Sequence, residues 1–218
     1  MSTPMTAPAL PCSPASERNQ PPILAVLRGL LPDTGTALEI ASGTGQHAAF
    51  FGAALPGWAW QPTDLKDELF FAIAGWALQA GATNVQPAVL LDVRSGTWPD
   101  GQAPFAQPFD LIYCANMLHI APWACCAGLM QGAARHLAPG GRLVTYGPYI
   151  EDGVPTSPGN QGFDATLRAQ NPAWGIRNRA DVEREAAAAG LHLAERHAMP
   201  SNNLLLVWQR TPAPGNTA

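Results

Sequence analysis

The stretch Leu38-Glu39-Ile40-Ala41-Ser42-Gly43-Thr44-Gly45-Gln46-His47 runs from apolar residues through a carboxylate into a tight glycine loop. Glycine tolerates positive φ and carries no Cβ, so backbone N–H groups in such a strand–loop–helix turn can close on a ligand. The turn therefore predicts a nucleotide-like cofactor.

Two cofactors compete for it. Gly43-Thr44-Gly45-Gln46-His47-Ala48 fits the dinucleotide fingerprint, whose last position accepts alanine. Glu39 at the strand end separates the readings. It resembles the acidic-x-Gly-x-Gly-x-Gly loop of class I S-adenosylmethionine (SAM) methyltransferases, with Ala41 standing at the first glycine.

Working outward, apolar strand-like runs alternate with helical periodicity. Thr36 to Ala41, Trp58 to Thr63, Val85 to Leu91, Phe109 to Cys114 and Arg142 to Tyr146 read as strands. Gln46 to Ala54, Asp67 to Ala80 and Pro122 to Leu137 read as the helices between them, and a further helix begins near Asn19 with Pro21 and Pro22 in its first turn. The alternation predicts a doubly wound, mostly parallel α/β sheet with right-handed crossovers. Asp181 to Ala189 reads as one more helix, followed by an antiparallel pair, Leu191 to His197 and Asn203 to Arg210. Residues 148 to 178 are rich in Pro, Gly, Asn and Ser and too long for an ordinary connection, which predicts a lid facing a substrate. The expected organisation is an N-terminal tail over 1–16, one domain over 17–210 containing that insertion, and a C-terminal tail over 211–218.

Composition narrows the function. The 218 residues suffice for one α/β domain, and 12 basic against 16 acidic residues give a net charge of −4 with no Lys/Arg cluster. A nucleic-acid surface is disfavoured. The N-terminus has neither the basic region nor the apolar core of a signal peptide, and no run approaches the roughly 20 apolar residues of a membrane span. The cysteines at 12, 114, 125 and 126 form no C-x-x-C pair, so a reduced cytoplasmic protein is expected, with the adjacent Cys125 and Cys126 read as core and no metal site.

Candidate site residues fall at strand ends. Asp64, 25 residues beyond Glu39, stands where α/β nucleotide sites place a ribose-binding carboxylate. Asp92, with the Val93 N–H beside it, suits an adenine. Asn116 and His119 leave the fourth strand at its carboxyl end, where His119 is a candidate general base for the acceptor's proton. His47 opens the loop helix, next to the cofactor. Tyr146, Tyr149, Asn160, Phe163, Asp164, Arg168, Trp174 and Arg177 offer aromatic walls and polar groups for a small organic acceptor.

The segments Ser13-Pro14-Ala15-Ser16-Glu17-Arg18-Asn19, Glu39 to His47, Cys114 to Trp123 and Asn202-Asn203-Leu204-Leu205 are similar to those of a family of small SAM-dependent methyltransferase-like proteins. The resemblance implies the class I fold and SAM binding. It also implies that Arg18 and Asn19 lie near the site, beside Glu39, Ala41, Ser42, Gly43, Gly45, His47, Asp64, Asp92, Val93 and Asn116. It supplies no acceptor. Nucleobase amino-methylation is disfavoured, because Asn116-Met117-Leu118-His119 lacks the [Asp/Asn]-Pro-Pro-[Tyr/Phe] pattern. A NAD-dependent oxidoreductase and a non-enzymatic SAM-binding interaction protein are the alternatives, and the oligomeric state is not legible.

Overall fold

The computed structural model describes residues 9–211. Helix α1 (Pro14–Leu30) opens the domain, capped by Ser13, whose hydroxyl accepts from the Ser16 N–H at 3.3 Å. It starts before the expected Asn19, and Pro21 and Pro22 lie inside it. Ser13-Pro14 is itself a cap followed by a proline at N1, and the apolar stripe Ile23, Leu24 and Leu27 buries the helix despite two missing donors. The part of the expected tail from Ser13 to Ser16 is thus capped helix; residues 1–8 and 212–218 lie outside the described residues.

The chain continues through β1 (Gly35–Ile40), α2 (Gln46–Ala54), β2 (Trp58–Asp64), α3 (Phe70–Gln79), β3 (Val89–Leu90), β4 (Phe109–Ala115), α4 (Ala124–His136) and β5 (Leu137–Ile150). It ends through α5 (Pro158–Gln170), β6 (Arg177–Asn178), α6 (Arg179–Ala188), β7 (Leu191–Met199) and β8 (Asn203–Arg210). The sheet order is β3-β2-β1-β4-β5-β8-β7, with β6 pairing β5 off this path. Pairings from β3 through β5 are parallel, and β8 joins β5 and β7 antiparallel. The doubly wound, Rossmann-like fold with its C-terminal antiparallel strands is as the alternation implied.

Period-2 alternation builds a core on each face. Leu111 and Tyr113 of β4 pack with Ile23, Leu27, Phe51 and Trp60 on the α1–α2 side. Ile112 and Cys114 pack with Leu129, Met130 and Val182 on the α4–α6 side.

Three expectations change. The third strand shrinks to two residues, with an isolated bridge from Val85 to Trp60, because Pro87 cannot donate to a ladder. Pro139-Gly140-Gly141 does not separate helix from strand; it is an irregularity within β5, where the register jumps between Phe109 and Leu111. The insertion is ordered and contains α5, capped by the Ser157 hydroxyl, which accepts from the Asn160 N–H. Among the described residues no helix is long and apolar enough to cross a membrane.

Gly132 of α4 faces the fully buried Trp98, and a Cβ there would stand 1.9 Å from its Cζ2. Gly132→Ala should lower Tm by roughly 3–10 °C, an overpacking cost of about 1–3 kcal/mol in a domain of this size. Thermal melts monitored by circular dichroism check this.

Candidate cofactor and acceptor site

β1 leads outward to β2 and β3, while β4 and β5 lie on its other side, so the strand order reverses between β1 and β4. Open α/β sheets bind ligands at the carboxyl end of such a switch point. There the structure holds a cavity of about 890 Å³, walled by Glu39 to Thr44, Leu91 to Arg94, Ala115 to Met117, the start of α1 and residues of α5.

Backbone geometry singles out the same place. The non-glycine residues with positive φ among the described ones are Ala41 (56°), Asn116 (60°), Ser201 (59°) and Asn202 (56°). The first three line the cavity, and the fourth adjoins it. A bulky cost of this kind, on the order of 1–3 kcal/mol at a residue such as alanine, is characteristic of sites where surrounding structure over-determines a functional conformation.

The glycine loop is built as expected. Gly43 (φ 54°) has open space where a Cβ would be, and Gly45 (φ 83°) caps α2. Ser42 is pinned by its N–H to the Thr63 carbonyl at 2.9 Å. Glu39 is buried, and its Oε2 accepts from Trp60 Nε1 at 2.6 Å. Burial, reinforced by the nearby Asp64 carboxylate, raises its pKa to about 8. His47 lines the cavity with Nδ1 3.2 Å from the Tyr113 hydroxyl, while Nε2 has no hydrogen-bond partner. The Ser16 backbone faces His47 and opposes the shift, but burial dominates and lowers its pKa to about 4.

The two strand-end carboxylates differ. Asp92 lines the cavity, forked by Arg94 at 2.9 and 2.5 Å, which holds it below the usual carboxylate range. The Val93 N–H beside it is unpaired among the described residues. Asp64 is not on the cavity wall: Oδ2 accepts from the Gly43 N–H at 2.8 Å and Oδ1 from the Leu65 N–H at 2.7 Å. Its first observed task is to pin the glycine loop to β2, although each carboxylate oxygen retains a second lone pair.

At the other end, Asn116 takes a left-handed conformation and donates its N–H to the Tyr146 carbonyl at 2.8 Å. His119 is buried, with its ring edge-on to Phe163 at 5.4 Å. Gly147 leaves room for both: a Cβ there would stand 3.4 Å from His119 Nδ1 and 3.9 Å from Asn116 Oδ1. Burial, with the Arg177 charge second, lowers the His119 pKa to about 4. Arg18 and Asn19 of α1 line the cavity, and Asn19 Oδ1 accepts from the Tyr146 hydroxyl at 2.9 Å.

The expected acceptor wall keeps Phe163 and Asn160, with Tyr146 reaching it through Asn19. The others are corrected. Tyr149 is buried and donates to Thr145 Oγ1. Arg168 pairs with Asp164 at 2.7 Å, and Trp174 is not on the wall. Arg177 spends its donors on the Leu118, Ala121 and Ala173 carbonyls, holding in shape the loop that carries His119. Sequence reasoning missed Ser201 as a wall residue and the hub role of Gln46, since neither a polar residue in a turn nor one in the first turn of a helix carries a periodic signal. Cys126 is core as read, whereas Cys125 also touches the cavity.

Residues 10–210 match the family described as Protein of unknown function (DUF938). The chain belongs to this family. Among solved structures, it is similar to an O-methyltransferase family 2 protein from Planctomyces limnophilus in complex with apigenin (19% identity, TM-score 0.75, 90% of this chain and 58% of that one). It is also similar to a methyltransferase of calicheamicin biosynthesis in its SAH-bound form (17%, 0.70, 91% and 54%). A third is an O-methyltransferase family protein from Burkholderia thailandensis (18%, 0.68, 88% and 56%). These likenesses establish a shared fold, and the chain spans a little over half the length of each of those proteins.

Glu39 generates a pH prediction. Between about pH 4.5 and 8 the unfolded chain releases a proton that buried Glu39 keeps, so this residue makes stability fall as pH rises. Glu39→Gln preserves an acceptor for Trp60 and removes the titration. Its stability advantage over the parent in chemical denaturation should grow between pH 5 and pH 8 by on the order of 2–4 kcal/mol. His47 and His119 act in the opposite sense below pH 6.5, where the unfolded chain takes up protons that the folded one refuses.

Proposed function

We propose that this protein is a SAM-dependent methyltransferase acting on a small-molecule acceptor by direct transfer. The observation that carries the reading is the cavity at the switch point, where the glycine loop and the left-handed Ala41 and Asn116 converge on one space. The donor set fits such a cofactor. Gly43 has the open face that a close ligand needs, Asp92 and the Val93 N–H offer an acceptor and a donor for an adenine edge, and Asp64 retains lone pairs for ribose hydroxyls. Glu39 lies on the wall with its carboxyl held mostly protonated by burial, so it offers a ligand a hydrogen-bonding group without a fixed negative charge. SAM supplies, when bound, a methyl group made electrophilic by a sulfonium.

The chain's own residues then bind, orient and shield. Asn116 and His119 form the polar edge facing the acceptor, and Phe163 and Asn160 of α5 close over it, excluding water from the transfer site. Neutral His119 would accept a hydrogen bond from the acceptor's O–H or N–H and receive that proton, while bound SAM would supply the methyl group and keep its sulfur, with the C–S bonding pair, as the neutral thioether of SAH. With a pKa near 4, His119 stays neutral throughout the physiological range, so turnover should show no inflection near pH 6.5 from this residue.

Titration calorimetry should show SAM and its demethylated product binding, with NAD(H) far weaker. Asp64→Ala should weaken binding by roughly 1–3 kcal/mol, since it loses a charged acceptor and unpins the glycine loop. Tight NAD binding without SAM binding would favour an oxidoreductase and overturn the proposal. SAM binding with no labelled product from a metabolite extract would favour a binding protein.

With an acceptor in hand, His119→Ala should lower turnover by about 10²–10⁴-fold while SAM affinity holds. Near-wild-type turnover of that variant from pH 6 to 9 would leave His119 a structural residue.

A further inference from the structure

The cavity is roofed partly by an arm, residues 10–20, from which Ser13, Ser16, Arg18 and Asn19 face inward. Behind the arm, Leu10 rests on Gly75 of α3, where a Cβ would stand 2.8 Å from Leu10 Cδ2, and Trp76 Nε1 donates to the Pro11 carbonyl at 2.9 Å. The polar fastening is concentrated in one residue. Gln46, the first residue of α2 and the one directly after the glycine loop, is buried beneath the arm. Its Oε1 accepts from the Ser13 N–H and from Thr44 Oγ1, the latter at 2.9 Å. Its Nε2 donates to Glu17 Oε1 at 3.1 Å, and its backbone carbonyl accepts from Gln20 Nε2 at 2.7 Å.

A single carboxamide thus ties the arm at Ser13 and Glu17 to the glycine loop at Thr44. Buried amides are costly to leave unpaired, so the bonds form and break together. A change of loop conformation at Thr44 displaces the acceptor that holds Ser13, and release of the arm frees the side chain that steadies Thr44. The arm carries Arg18 and Asn19, and Asn19 continues the connection through the Tyr146 hydroxyl to β5.

We propose that Gln46 is a positioning residue: it latches the arm to the glycine loop, so that ligand bound by the loop and closure of the arm over the cavity are coupled. Only the identity of that ligand rests on the methyltransferase reading. An asparagine would be too short to span Ser13 and Glu17 together. A glutamate keeps the acceptor for Ser13 and Thr44 but sets a second carboxylate against Glu17. Changing Glu17 to glutamine at the same time restores a donor and an acceptor with their order reversed.

The test is hydrogen exchange of residues 12–20 in the ligand-free full chain, with stopped-flow release of SAH as a second readout. Gln46→Ala should speed exchange of the arm by about 10- to 100-fold, the loss expected for a hydrogen bond to a charged group, while exchange in α4 and α6 stays as in the parent. SAH release should quicken in step. Gln46→Glu should loosen the arm similarly, and Gln46→Glu combined with Glu17→Gln should recover most of the protection. If Gln46→Ala does not fold, Glu17→Ala, at an exposed position, removes one arm contact and should give a smaller increase confined to the arm. Arm exchange unchanged in Gln46→Ala, or in Glu17→Ala where that is the variant that folds, overturns the proposal. So does a double variant as loose as Gln46→Glu alone. Failure of the parent to bind SAH counts against the methyltransferase reading and leaves the exchange result to decide the latch.

Discussion

Gly45 sits where two helices and the ligand loop must share one small volume. A Cβ there would stand 2.4 Å from the Cα of Ile73, and its φ of 83° is one that side chains rarely adopt. Only without that carbon can α3 pack its backbone against the start of α2. The contact fixes the direction in which α2 leaves β1, and so where Gln46 and His47 point. It also brings Leu69, just ahead of α3, to the cavity wall. Ala41 and Gly43, upstream in the same turn, take positive φ as well, so the loop is left-handed at three of five successive residues.

Burial then sets the charge of the space that this turn encloses. Glu39, His47 and His119 all lie against the cavity, and for each the cost of holding a charge away from water exceeds what neighbouring groups return. The carboxyl is pushed up and both imidazoles down, so all three favour their neutral forms. Among the described residues, the formal charges left on the wall are Asp92 with its partner Arg94, and Arg18 on the arm. Such a floor is poorly solvated and sensitive to whatever charge a ligand brings.

The supporting shell is as informative as the wall. Arg177, which the sequence offered as an acceptor contact, instead gathers three backbone carbonyls around the His119 loop and lies over the Trp123 ring at 5.6 Å. Asp64 holds the Gly43 N–H. Both act on the site by holding in place the backbone that bears its functional groups, and a substitution at either changes geometry before it changes contact.

The strand alternation, the glycine loop with Glu39, and the strand-end placement of Asp92, Asn116 and His119 were legible in the chain, because periodicity and turn chemistry are local. So was the C-terminal antiparallel pair. The early start of α1 at Pro14 and the helix inside residues 148–178 were less so: Ser13-Pro14 and Ser157-Pro158 are cap signals inside segments whose composition reads as loop. Sequence could nominate Arg18, Arg177, Asp64 and Gln46 as polar groups near a turn. It could not say which would reach the cavity and which would be spent on backbone, because each has a partner far along the chain: Asp64 with Gly43, 21 residues away, Gln46 with Glu17, 29 away, and Arg177 with Leu118, 59 away. Hydrogen bonds satisfy whichever groups packing brings within about 3 Å, and that proximity is set only when the sheet closes and α1 lies down across it.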